Sequence, residues 1–100
     1  MSEAGKSARL LIGPGSTPVL PRHIKLRHDQ ARDRWTILAP ERVFSPDPIA
    51  VAILQLCDGE RTADAIAEEL ARSYNAPKAQ ILADVMAMLQ DLSDKGVVQA

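Results

Sequence analysis

Aromatic side chains are nearly absent from this 100-residue sequence, with Trp35, Phe44 and Tyr74 the only ones. A platform that stacks single-stranded nucleic acid needs several aromatics on one surface, so that mode is excluded. The core must be aliphatic, built from Leu, Ile, Val, Ala and three Met. Cysteine is as scarce. Cys57 stands alone, which leaves no disulfide framework and no thiolate cluster for zinc, and the expected setting is the cytoplasm. No run approaches the roughly 20 apolar residues of a membrane span. Leu10-Leu11-Ile12, cut short by Gly13-Pro14-Gly15, is too brief for a signal-peptide core. An excess of one charge is lacking too: 12 basic and 13 acidic residues leave a net −1. That excludes a strongly basic nucleic-acid module and an acidic solvating tail.

What is present is enough for one small domain, with 46% apolar residues to bury. The charge is unevenly placed. Residues 1–42 carry Lys6, Arg9, Arg22, Lys25, Arg27, Arg32, Arg34 and Arg42 against Glu3, Asp29, Asp33 and Glu41, a balance of +4. Residues 43–100 balance to −5. Such a split either steers charged partners or reflects two solvated faces that compensate each other.

Residues 1–20 hold Gly5, Gly13, Gly15, Pro14 and Pro18 among serines and show neither a helical nor a strand period. They read as a flexible arm or linker, with the folded domain spanning 21–100. From His23 the pattern alternates, with Ile24, Leu26 and His28 on one side of a strand. The polar stretch 29–33 has hairpin length, and a second strand runs from Arg34 to Ala39 with Trp35 and Ile37 on one face. Pro40-Glu41 turns the chain into a short third strand, Arg42-Val43-Phe44, an expected sheet edge.

After Asp47 the period becomes helical. Asp47 caps a first helix that starts at Pro48, with Ile49, Ala52, Ile53 and Leu56 as its apolar stripe. Thr62 caps a second helix through about Tyr74, with Ile66 and Leu70 inward and a Glu68–Arg72 pair outside. A third runs from Pro77 to about Lys95 and is closed by Gly96. The order predicts an α+β fold, a winged helix-turn-helix in which a small three-stranded antiparallel sheet is followed by three helices.

The third helix carries too wide an apolar arc. With Ile81 at zero and about 100° per residue, Met88, Leu92 and Val85 fall near −20°, +20° and +40°. Leu89, Leu82 and Met86 fall near +80°, +100° and +140°. One side can seat on the other helices, which leaves Leu82, Met86 and Leu89 as surplus. Either the sheet covers them, or they wall a groove beside strand three in which an extended peptide adds as another strand.

Catalytic chemistry is missing. Gly13-Pro14-Gly15 precedes no helix start, so it is no phosphate loop. Cys57 ends an apolar helix with no base nearby and reads as a buried structural thiol. His23 and His28 fall on opposite strand faces and make a poor metal pair. A DNA-binding transcription regulator is the alternative suggested by the helix pair. Against it, the third helix sets two lysines against Asp84, Asp91 and Asp94, and the second helix is also acidic.

Particular stretches carry a resemblance. They are Pro21-Arg22-His23-Ile24-Lys25-Leu26-Arg27, Arg34-Trp35, Leu38-Ala39-Pro40-Glu41-Arg42 and Leu56-Cys57-Asp58-Gly59-Glu60-Arg61-Thr62. Tyr74-Asn75-Ala76-Pro77 and Leu89-Gln90-Asp91-Leu92-Ser93-Asp94-Lys95-Gly96 complete the set. In order and spacing these resemble the pyrroloquinoline quinone biosynthesis protein D family. The resemblance implies a peptide chaperone without catalytic activity or cofactor, a recognition element of peptide-modifying pathways. It would bind the ribosomal precursor peptide and present it to the radical S-adenosylmethionine (SAM) enzyme that cross-links its Glu and Tyr. In some bacteria such a domain is fused behind the ring-closing oxidase, and residues 1–20 look like a linker of that kind. The implied peptide site lies along strand three and the third helix: Arg42, Val43 and Phe44 with Leu82, Val85, Met86 and Leu89. The open edge also leaves homodimerisation by strand exchange as an expectation.

Overall fold

The computed structural model describes residues 11–100, so the first half of the expected arm lies outside the described residues. Three strands come first: β1 (Lys25–Asp29), β2 (Arg34–Ala39) and β3 (Arg42–Phe44). Three helices follow: α1 (Pro48–Gln55), α2 (Ala63–Tyr74) and α3 (Lys78–Asp94). The sheet is antiparallel throughout, in the order β1-β2-β3. Leu26 faces Ile37, which faces Phe44, and this row looks onto the helices. Lys25, Leu38 and Val43 form the opposing row, which faces outward.

Local chemistry sets the connections. In the first hairpin the Asp29 carboxylate accepts the amides of Ala31 and Arg32, and Asp33 takes φ 52°. Between β2 and β3, proline precedes Glu41 at φ 65°, the residue pattern of a type II turn. Asp47 caps α1 by accepting the Ala50 amide at 2.8 Å. Asn75, at φ 52°, ends α2 in the left-handed conformation.

The core is aliphatic, as composition requires, with Ile37, Ile53, Ile66, Val85, Leu89 and Val97 at 1% exposure or less. In α1 the buried face is Ala50, Ile53 and Leu54 with Val51, and Ile49 is 44% exposed. The expected stripe was thus rotated by one residue. Every position of α1 but Gln55 is apolar, so periodicity alone did not select a face. On α2, Arg72 pairs with Glu69 at 2.9 Å rather than with Glu68, which lies 3.9 Å from Lys78.

The larger difference lies before Pro21. Residues 11–20 are docked, with Ile12 and Pro18 buried and Val19 bridged to both Asp58 and Gln99. The reason lies at the start of α2. The Ser16 carbonyl accepts the Ala63 amide at 2.8 Å, the Pro14 carbonyl accepts the Asp64 amide at 3.0 Å, and Thr62 Oγ1 accepts the Ala65 amide at 3.0 Å. Helix N-termini leave such donors without intrahelical partners, and the segment supplies two of them. Pro18 is buried without leaving an unpaired donor, because proline has none. Its carbonyl accepts the Gly59 amide at 3.0 Å. Gly59 stands at φ 82°, and a Cβ there would lie 3.4 Å from the Val19 side chain.

Candidate functional site

In the described residues β3 pairs only with β2, so its other edge presents free backbone donors and acceptors. Arg42 and Phe44 share the helix-facing side of the strand, and the guanidinium carbon of Arg42 lies 4.8 Å from the Phe44 ring centroid. Val43 points the other way and is 67% exposed. Beyond Phe44 a cleft of about 220 Å³ opens between the strand and the C-terminal half of α3. Phe44, Pro46 and Ala50 line one side, Met88, Leu92 and Asp91 the other, and Ile37 is also in its lining. Lys95 at the rim is held by Asp91 at 2.9 Å.

The strand residues expected at the site, Arg42, Val43 and Phe44, lie on this edge. The helix residues expected with them are placed otherwise. Val85 and Leu89 are 1% and 0% exposed and belong to the core, so they can support a site only from beneath. Leu82 is half-buried and packs on the core, and Met86 is half-buried. Around α3, Asp91, Lys95, Met88 and Leu92 span about −80° to +20°, whereas Leu82 and Met86 lie near +100° and +140°. Gln90, about 40° beyond Met86, accepts the Ile12 amide through Oε1 at 2.9 Å, so that side of the helix adjoins the docked N-terminal segment. Met88 and Leu92 thus line the cleft beside β3, while the expected Leu82 and Met86 lie on another side of α3 and Leu89 beneath. The arc of seven apolar residues, about 160° wide, offered two sides. With the segment 11–20 read as an arm, nothing in the pattern showed which side it would occupy.

A second opening, of about 430 Å³, lies across Pro46 from the first, lined by Trp35, Pro48, Val51, Ala52 and Gln55 together with Asp33 and Arg34. The Trp35 ring stands 5.0 Å from that of His28, whose Nε2 is 3.2 Å from Asp33 Oδ1. Sequence pattern placed Trp35 on the inner face but gave no sign of this opening.

Reactive groups are few. Burial, with the neighbouring Asp58 charge, pushes the Cys57 thiol up to about 12, and its Sγ donates to the Ile53 carbonyl at 3.2 Å. Amides of Arg61 and Glu60 hold the Asp58 carboxyl below its usual range. Among the described residues no group of three or more His, Cys, Asp or Glu is placed to hold a metal ion, and no helix is long and apolar enough to cross a membrane. The lysines flanking α3 are both engaged, Lys78 by Asp64 at 3.0 Å and Lys95 by Asp91. The helix that would enter a DNA groove thus presents no free lysine.

Comparison with known proteins agrees with this architecture. A family model described as Coenzyme PQQ synthesis protein D (PqqD) matches residues 34–98. A protein named PqqA binding protein, from Rhodopseudomonas palustris strain BisB5, is 59% identical over 90 residues, covering 90% of this chain and 88% of that one. A bifunctional coenzyme PQQ synthesis protein C/D of Methylorubrum extorquens is 45% identical over 99 residues, 98% of this chain but 27% of the longer protein. The solution structure of the PqqD truncation of Methylobacterium extorquens PqqCD superposes with a TM-score of 0.79 at 39% identity, covering 94% of this chain and 99% of that one. That protein is described as a functional, stand-alone recognition element for ribosomally synthesised and post-translationally modified peptides. The crystal structure of PqqD from Xanthomonas campestris superposes with a TM-score of 0.53, also at 39% identity, over 84% of this chain and 93% of that one. The chain belongs to the coenzyme PQQ synthesis protein D family.

Proposed function

We propose that this chain binds the ribosomal precursor peptide of pyrroloquinoline quinone biosynthesis and presents it to the radical SAM enzyme that cross-links the peptide's Glu and Tyr. The observation that carries the reading is the unpaired edge of β3 set beside an apolar cleft. A peptide laid along that edge gives the free N–H and C=O groups their partners. Its alternate side chains then point to the side shared by Arg42 and Phe44, where Met88 and Leu92 provide an apolar wall. Methionine suits such a wall because its flexible thioether adapts to different side chains. The relatives named PqqA binding protein support the same ligand.

In this reading the protein is not an enzyme and carries no cofactor. It orders a flexible substrate, and the chemistry belongs to the partner, in the cytoplasm where the peptide is made. The C/D relative supports a second neighbour, the ring-closing oxidase. Of the expected 20-residue linker to it, residues 11–20 are docked on the domain.

Calorimetric titration of the full chain with the precursor peptide tests the proposal, combined with amide-shift mapping. Saturable binding that is weakly dependent on salt is expected, with shifts at Arg42–Phe44 and along Met88–Leu92. Shifts confined to β1 and the first hairpin would overturn the assignment of the site. Absence of peptide binding together with duplex-DNA binding that falls steeply with salt would overturn the function.

A further inference from the structure

The charge split of the sequence becomes spatial in the fold. The basic residues of the helical half are all tied to carboxylates: Arg61 to Asp58, Arg72 to Glu69, Lys78 to Asp64 and Lys95 to Asp91. The sheet differs. Lys25, Arg27 and Arg34 are exposed and have no carboxylate among the described residues within ion-pair distance. Asp29, the acidic residue on their face, is turned to Arg32 and to the amides of Ala31 and Arg32.

Register places these cations together. Lys25 lies opposite Leu38, which lies opposite Val43, and in the next outward-facing row Arg27 lies opposite Thr36. Arg34 closes the patch at the start of β2. Lys25 and Arg27 stand on the side away from the helices, because Leu26, Ile37 and Phe44 fill the other, whereas Arg34 also lines the opening beside α1. The patch is not flat: Arg27, Thr36 and Leu38 help line an open depression of about 560 Å³. Towards the β3 edge the face is apolar, with Val43 67% exposed beside Leu38.

We propose that this outer face of the sheet docks an acidic surface of the peptide-modifying enzyme, with an apolar contact over Leu38 and Val43. The inference rests on the peptide-presenting reading above and assigns the second surface which that reading requires. Charge complementarity selects the partner's chemistry, since exposed cations outside any ion pair, next to an apolar pair, fit a carboxylate-rimmed protein patch. Nucleic acid fits less well. Affinity for it comes from many neutralised phosphates, and the acidic helical half of this chain opposes a polyanion. The geometry allows both partners at once, because the cleft opens on the helix side of β3 and the patch lies on the other.

The test uses the full chain, the radical SAM enzyme and the precursor peptide. A Lys25→Glu/Arg27→Glu/Arg34→Glu variant is compared with the neutral Lys25→Gln/Arg27→Gln/Arg34→Gln variant. Charge reversal should weaken enzyme binding by roughly 10- to 100-fold and neutralisation by less, because several exposed pairs each contribute modestly. Peptide affinity should stay within about twofold in both, which also shows that the fold is intact. Equal enzyme affinity for wild type and variants would overturn the docking face while leaving the peptide reading standing. A wild-type chain that binds peptide but no enzyme would overturn the presenting role, and the docking face with it. Duplex DNA bound as tightly as the enzyme, and lost on charge reversal, would overturn the choice of partner.

Discussion

Replacing Ile12 by Ala should destabilise the fold by about 2–3 kcal/mol, the lower part of the range for truncating a buried aliphatic side chain. Ile12 is 8% exposed and belongs to the central cluster. Its neighbour Leu11 is 72% exposed, which makes Leu11→Ala the internal control. That change should fall within about 0.5 kcal/mol, as surface substitutions do. For a domain of this size the Ile12 loss corresponds to a urea midpoint lower by roughly 1–2 M and a Tm lower by about 10–20 °C. The loss is capped by the docking free energy of the segment, because the segment can detach while the helices stay folded. Amide exchange reports that detachment directly. Ala63 and Asp64 donate to the Ser16 and Pro14 carbonyls, so their protection should fall in Ile12→Ala before that of Ile66, which donates within the helix to Thr62. A free arm predicts two indistinguishable, near-silent substitutions and fast exchange at Ala63 and Asp64. That result would refute the docking of residues 11–20 and restore a domain boundary near Pro21.

Two further outcomes follow from the cleft and the core. Met88→Ala should weaken peptide binding roughly tenfold, the equivalent of about 1.4 kcal/mol, while Met86→Ala stays within about twofold. A larger effect at Met86, read by the same calorimetric titration, would return the groove to the other side of α3. Cys57 gives a pH dependence with a fixed sign. Its thiol sits near 12 in the folded chain against 9.0 for an unperturbed thiol. Between those values the unfolded chain holds fewer protons there than the folded one, so stability is intact below pH 9 and falls as pH rises above it. The slope approaches about 1.4 kcal/mol per pH unit from this group alone. Urea midpoints at pH 8 and 10 should therefore fall more in the wild type than in Cys57→Ala. Equal falls would show that the thiol does not drive the loss.

Much of the fold was legible because local signals agreed with one another. Pro40-Glu41, Asp47-Pro48, Thr62 and Asn75-Ala76-Pro77 each mark a boundary with its own chemistry, and the structure ends or starts an element at every one. The strand half of the candidate site was legible for the same reason: a three-residue strand stopped by Ser45-Pro46 is positioned to be an edge. Faces were harder to read. In α1 almost every residue is apolar, and in α3 the apolar arc spans two sides, so the periodicity that identifies a helix stops short of orienting it.

The expectations of a free arm and of a groove wall at Leu82 and Met86 share one origin. Glycine, proline and serine between 13 and 18 carry no period, and a segment without a period reads as a linker. Here that composition serves docking, since Pro18 buries without leaving an unmet donor while the Pro18 and Pro14 carbonyls take up amides from Gly59 and from the start of α2. With Ile12 bound beside Gln90, the Gln90 side of α3 adjoins the chain's own N-terminal segment. The side of Met88 and Leu92 is the one left facing β3. The same ten residues expected as an arm therefore adjoin one side of α3, while Met88 and Leu92 face β3. Detaching them by Ile12→Ala should break the bond from the Ile12 amide to Gln90 Oε1 while leaving the cleft of Met88 and Leu92 beside β3 in place.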